Sequence, residues 1–205
     1  MSDAAAPATP EVLDGRRASR ERNRDAVVDA LLDLYQEGIV RPSADEIADR
    51  SGVSRRSLFR YFEDMDELCR VAIDRQYSRV RHLFPIENFG VGSLAQRLEA
   101  LVAQRLRLFQ AIAPVASIAR GRAVLQPILQ EQLRTDGALL RSQVERQIAP
   151  ELDRLDAKSR AQTLAAADVL TCFEAFDVMT TRQGLSVEDT SGAMRSALAA
   201  LLSPS

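Results

Sequence analysis

Four arginines, Arg50, Arg55, Arg56 and Arg60, fall between Arg50 and Phe62, a stretch without a single Asp or Glu. Arginine presents a planar fork of N–H donors that matches phosphate oxygens and the edge of guanine, so this run points to nucleic acid. The hydroxyls of Ser57 and Tyr61 lie among these arginines, and Ser43 lies just upstream. Other chemistry is poorly provided for. His82 is the sole histidine and Cys69 and Cys172 are far apart. No HExxH, phosphate-binding loop or GxSxG motif is present, and Gly90-Val91-Gly92 lacks a third glycine and a preceding strand. The expectation is a protein that is not an enzyme and holds neither metal nor cofactor.

The arginine run needs elements that present it. Apolar residues recur at helical spacing along nearly the whole chain, and the few glycines and prolines punctuate them, so the fold class is all-α. A first amphipathic helix is expected from about Arg20 to Glu37, with Val27, Leu31 and Leu34 on one face and Gly38 as its stop. Ser43 and Glu46 have the spacing of a capping box for a short second helix. Gly52 can take the left-handed conformation that reverses the chain, and Ser54 caps a third helix, Arg55 to Phe62. This order of short helix, glycine turn and second short helix is a helix-turn-helix. Ile47, Val53, Leu58 and Phe62 are spaced to close a small core with the first helix, which leaves Arg55, Arg56, Ser57, Arg60 and Tyr61 outward. Ser43 and these five are the candidate DNA-binding residues.

A fourth helix is expected from Met65 to Phe84, with the domain boundary inside it. Residues 1–18 read as a mobile tail, 19–70 as the helix-turn-helix domain and 71–205 as a second helical domain. Within the latter, helices are expected from Ser93 to about Ile112 with a break at Ala113-Pro114, then short pieces, then from about Gln126 or Pro127 to Ile148, Lys158 to Gln183 and Val187 to Leu202. Phe109, Ile112, Leu129, Cys172, Phe176 and Met179 are candidates to line an apolar cavity there, with Gln104 or Gln110 as polar anchors. His82 is expected at the surface of a helix end.

The chain has 205 residues, 46% of them hydrophobic and 27% charged, which is ordinary for a globular protein. No apolar run approaches the roughly 18–20 residues of a membrane-spanning helix, and with neither a secretory start nor a cysteine framework a cytoplasmic location is expected. The 27 basic and 29 acidic residues give a formal charge of −2, which taken globally argues against DNA. Position reverses that inference. Every acid between residues 16 and 62 precedes the third helix, so the near-neutral total hides a local arginine face.

Ser43, Ile47-Ala48, Ser51-Gly52-Val53-Ser54, Ser57-Leu58-Phe59, Tyr61-Phe62 and Leu68 together resemble the DNA-binding domain of the TetR/AcrR family of bacterial transcription regulators. Two positions depart from that pattern: Phe59 stands where tyrosine is usual, and Met65 where lysine is usual. The resemblance implies a repressor acting as a homodimer on a double-stranded DNA operator. It also implies a C-terminal ligand-binding and dimerisation domain, with Gln104, Phe109, Cys172, Phe176 and Met179 as candidate contacts to a small-molecule effector. The competing reading is a homodimeric ligand-binding or partner-binding protein whose helix-turn-helix no longer meets DNA.

Overall fold

The computed structural model describes residues 10–87 and 89–203, except the side chains of residues 10–14 and 16. Ten helices follow one another, and no strand occurs among the described residues. Two compact units meet in sequence between Gln76 and Tyr77, inside the fourth helix.

The first unit comprises α1 (Pro10–Gln36), α2 (Ala44–Ser51), α3 (Arg55–Tyr61) and the start of α4 (Met65–Val80). Helix α1 begins at Pro10, not near Arg20. Proline is well suited to a first helical turn. Residues 1–9 of the expected tail lie outside the described residues. Val27, Leu31, Leu34, Ile47, Leu58 and Phe62 are all buried, with Leu68, Ala72 and Ile73 of α4 closing the same core. Helix α2 has the expected box: Ser43 accepts from the Glu46 amide while Glu46 accepts from the Ser43 amide. Gly52 ends it at φ 67°, a left-handed conformation that other residues adopt only at a cost. Arg75 of α4 binds both Asp25 and Asp29 of α1, which ties the fourth helix to the first.

The second unit begins with the last residues of α4 and a 3-10 turn, Arg81–Leu83. It continues through α5 (Leu94–Ala123), α6 (Pro127–Gln147), the short α7 (Ala149–Leu152), α8 (Ala157–Leu170), α9 (Phe173–Asp177) and α10 (Val187–Leu202). Its core joins Leu101, Val102 and Phe109 of α5 to Val144 of α6, Ala167 of α8, Phe173 of α9 and Met194 and Leu198 of α10.

Two expected boundaries are overturned. Helix α5 does not break at Ala113-Pro114 but runs through Pro114 to Ala123. An internal proline costs about 3 kcal/mol. Burial of Ile112, Val115, Ala116, Ile118 and Ala119 on both sides outweighs it. Conversely, the single helix expected over Lys158 to Gln183 is interrupted. The Thr171 hydroxyl donates back to Ala167 O (2.9 Å), and Cys172 leaves helical geometry to cap α9. After α9 the chain widens into a π turn, Val178–Arg182, with Gln183 N bonded to Val178 O and the Thr180 hydroxyl bonded to Phe176 O.

Candidate nucleic-acid interface and ligand cavity

Helix α3 is held from below by Leu58, which is fully buried, and capped at its start by Ser54, whose hydroxyl oxygen accepts from the Ser57 amide at 3.2 Å. Its remaining residues face outward, but they differ in what they already bind. Arg55 donates to both carboxylate oxygens of Asp45 (2.9 and 3.2 Å) and lies over the Phe59 ring at 5.9 Å. Arg50 forms a two-point pair with Glu37 (2.7 and 2.9 Å), which braces the end of α2 against α1. Arg60 donates to Ser57 Oγ and to Tyr61 Oη. The Arg56 side chain is exposed and engages no partner among the described residues. At the second position of α3 it is the arginine whose donor fork is free for base edges or phosphate.

Tyr61 lies at the other end of α3, where Asn23 Nδ2 (3.4 Å) and Arg60 Nη2 (3.3 Å) both donate to its oxygen. Those two bonds, with the positive fields of Arg60 and Arg20, hold the phenol below its ordinary pKa. Because the oxygen accepts twice, the hydroxyl hydrogen remains to donate outward, as a phosphate requires. Ser43 differs from the other five candidates: its hydroxyl donates to Glu46 Oε2 and accepts from the Glu46 amide, so the cap engages it on both counts. The bonds from Ser43 in turn hold the Glu46 carboxyl below its ordinary pKa. Phe59, where tyrosine is usual in the resembled pattern, is 42% exposed and supports Arg55 by its ring face. Arg24 crosses back over the Phe62 ring at 4.8 Å, joining α1 to the end of α3. Of the N-terminal arginines, the Arg16 side chain lies outside the described residues, and Arg17 pairs with Glu21 one helical turn on.

Residues 29–72, which include the turn and the whole of α3, match the model of the bacterial regulatory proteins of the tetR family. The N-terminal domain is of the tetR type over those residues. No curated protein sequence matches the chain significantly. Among solved structures it is similar to a transcriptional regulator from Rhodococcus sp. Rha1, with 21% identity and a TM-score of 0.65 over 90% of this chain and 96% of that one. A candidate TetR-family transcriptional regulator from Rhodococcus sp. is similar at 20% identity and a TM-score of 0.63, over 88% and 99% of the two chains. A candidate transcriptional regulator from Streptomyces coelicolor A3(2) follows at 22% identity and 0.57, over 89% and 99%. At these identities the likeness is one of fold, and it extends through the second unit. The tetR-type helix-turn-helix identifies a DNA-binding regulator of transcription.

The second unit encloses a cavity of about 310 Å³ among α4, α5, α6, α8 and α9. Tyr77, Phe84, Leu108, Phe109, Ile112 and Phe173 supply much of its apolar wall. Charged side chains complete it: Arg120 with Glu174 (2.6 Å), Arg141 with Asp168 (3.1 Å), and Asp136. A second, more open cavity of about 460 Å³ shares Tyr77, Phe84 and Asp136 with the first. Burial, reinforced by the negative charge of Asp136, pushes the Tyr77 phenol up to about 12, so it stays a neutral donor. Burial likewise raises the Asp136 carboxyl, against the opposing hydrogen bond from Gln132 and the field of Arg120.

The structure brings only part of the expected ligand set together. Phe109, Ile112 and Cys172 line the cavity. Phe176 does not; it packs its ring against Phe109 and Phe173 at 5.7 and 6.1 Å. Met179 packs against the core, Leu129 is buried elsewhere on α6, and Gln110 is exposed. Met179 lies within the π turn Val178–Arg182.

Gln104 is fully buried but has another task. Arg105 donates to the amide oxygens of both Gln104 and Gln143, and so turns the two amide nitrogens outward. Gln104 Nε2 then donates to Leu83 O (2.7 Å) and Phe84 O (3.2 Å), and Gln143 Nε2 to Phe84 O (2.9 Å). The three side chains clamp the backbone that leaves α4 to α5 and α6. Burial pushes Arg105 down to about 10, partly offset by Asp168, so it remains charged at neutral pH. His82 is exposed at the end of the α4 extension, as expected, with Nδ1 at 2.9 Å from Arg79 O. Sequence reasoning missed Tyr77, Arg120, Asp136, Arg141, Asp168 and Glu174. They are scattered over five elements at no recognisable spacing, and only the folding of those elements gathers them.

Proposed function

We propose that the protein is a dimeric repressor whose hold on a DNA operator is changed by a small molecule bound in the second unit. The observation that carries the DNA reading is the state of α3: a helix anchored by Leu58 and capped at both ends, presenting Arg56 without a partner among the described residues and Tyr61 with its hydroxyl hydrogen unengaged. Arg55, Arg60 and Ser57 add contacts after exchanging their local partners, whereas Ser43 acts through the fold of α2. Helix α3 enters the major groove with its N-terminal residues at the base edges. In a two-fold dimer, half-site centres lie roughly 34–36 Å, or a multiple of it, apart.

Dimerisation through α8 and α10 is supported by their outward small residues, Ala161, Ala165, Ala199 and Ala200, and by Val169, 65% exposed on α8. Effector coupling is supported by the path of the chain. Tyr77 and Phe84 line the cavity, and the same helix that carries Tyr77 carries Arg75, which is bound to α1. A ligand that favours one setting of this helix must change operator affinity by linkage.

The test is a mobility-shift titration of the full chain against its own upstream DNA across a salt series. Specific binding that weakens as salt rises is expected. Binding no stronger than to unrelated DNA, with or without candidate ligands, sinks the proposal in favour of a ligand-binding dimer that has left DNA.

A further inference from the structure

The cavity of the second unit carries an unbalanced acid. Three acids and two arginines stand on its wall. Arg120 Nε is engaged by Glu174 Oε1, and Arg141 Nη1 by Asp168 Oδ2. Arg105, which does not line the cavity, directs its guanidinium to the oxygens of Gln104, Gln143 and Leu140. Of the three wall acids, Asp136 has no cation bound to it among the described residues: Oδ1 accepts from Gln132 Nε2 at 3.0 Å, and Oδ2 is enclosed with no hydrogen-bond partner there. A buried carboxylate oxygen without a donor is an unfavourable state that native proteins rarely leave uncorrected.

The rest of the wall specifies what else the corrector must be. Phe84, Phe109, Phe173, Leu108 and Ile112 make the surroundings apolar and aromatic, and the volume of about 310 Å³ lies at the lower end of small-molecule sites. Asp136, Tyr77 and Phe84 also face the adjoining cavity, so a ligand tail has room to extend past them. We infer that the effector is a compact lipophilic cation, an aromatic or aliphatic amine whose protonated nitrogen bonds Asp136 while its apolar body packs on Phe84, Phe109 and Phe173. A neutral donor would satisfy the oxygen but not the charge. An anion would meet arginines already paired and a carboxylate that repels it.

This inference rests on the proposal that the second unit holds an effector, and the experiment separates the two. The full chain is titrated calorimetrically at pH 7 with three probes of one shape: 4-phenylbutylamine, 4-phenylbutan-1-ol and 4-phenylbutyrate. The amine is expected to bind at least tenfold more tightly than the alcohol, with the carboxylate weakest. Asp136→Asn should remove that tenfold preference while leaving the affinity for the alcohol within about twofold, which also shows that the variant is folded. Equal binding of amine and alcohol, preference for the carboxylate, amine preference that survives in Asp136→Asn, or no amine binding at millimolar concentration would each overturn the inference. Operator binding measured on the same preparation without any probe reports on the regulatory reading. A protein that binds its operator but ignores the amine loses only the inference, and one that binds the amine but no DNA loses only the repressor.

Discussion

Removing Arg56 isolates the step on which DNA recognition rests. In the free protein its exposed guanidinium makes no bond among the described residues, so Arg56→Ala costs the fold almost nothing and the whole effect appears on binding. A bidentate arginine to guanine is worth about 1–3 kcal/mol of discrimination. On a two-fold operator both protomers lose it, and the sum is about 2–6 kcal/mol, or roughly 30-fold to 20,000-fold in affinity. Arg55→Ala provides the internal comparison. Arg55 must first leave Asp45, and an exposed pair of that kind is worth about 0–1 kcal/mol, so its net loss on binding is smaller. The assay is fluorescence anisotropy of a labelled operator with salt varied from roughly 50 to 200 mM, repeated on operators changed one base pair at a time. Base readout predicts that Arg56→Ala relaxes preference at one position per half-site and leaves the salt slope unchanged. A phosphate contact instead predicts uniform weakening and a salt slope shallower by about 1 per contact. Affinity within twofold of wild type on every operator would refute the assignment of α3 as the reading helix through Arg56.

Other perturbations test the scaffold. Arg75→Met keeps the aliphatic stem but releases Asp25 and Asp29, and about 1 kcal/mol of stability should be lost in urea denaturation; an unchanged midpoint would mean that α4 is held to α1 by apolar contacts alone. Gly52→Ala places a Cβ where no atom lies within 4 Å, so its cost is the left-handed backbone alone, about 1–2 kcal/mol, and a larger loss would show an unrecognised clash. Asp136 has a folded pKa raised above its unfolded value, so wild-type stability should fall as pH rises from about 4 through that folded pKa. Asp136→Asn should lack this decline, and its stability relative to wild type should therefore be greater at pH 7 than at pH 4 in thermal melts. Parallel pH profiles for the two proteins would contradict the burial of that carboxyl.

Much of the reading unit was legible from residue order because its determinants are local. A capping box needs only Ser43 and Glu46 three residues apart, a left-handed turn needs only Gly52, and the helical spacing of Ile47, Leu58 and Phe62 dictates what faces inward. The charge of the α3 surface follows from the same periodicity. Residue order could not show that Arg50 is held by Glu37 just beyond α1 and Arg55 by Asp45 of α2, while Arg56 meets no partner among the described residues.

The second unit reverses the balance. Its all-helical character is written in apolar periodicity, yet the local rule that proline breaks a helix failed at Pro114, where tertiary burial outweighed it. The opposite error arose at Thr171, where no glycine or proline warned that a side-chain hydroxyl would compete for backbone carbonyls. Both decisions reach the cavity, because they set which faces of α5 and α9 line it. Sequence by itself therefore determined the helix-turn-helix and its arginine face, whose information lies within single turns. Only the tertiary structure decided which arginine is free, that Gln104 grips the backbone beyond α4, and that Asp136 stands without a cation, because each is a property of helices distant in sequence packed against one another.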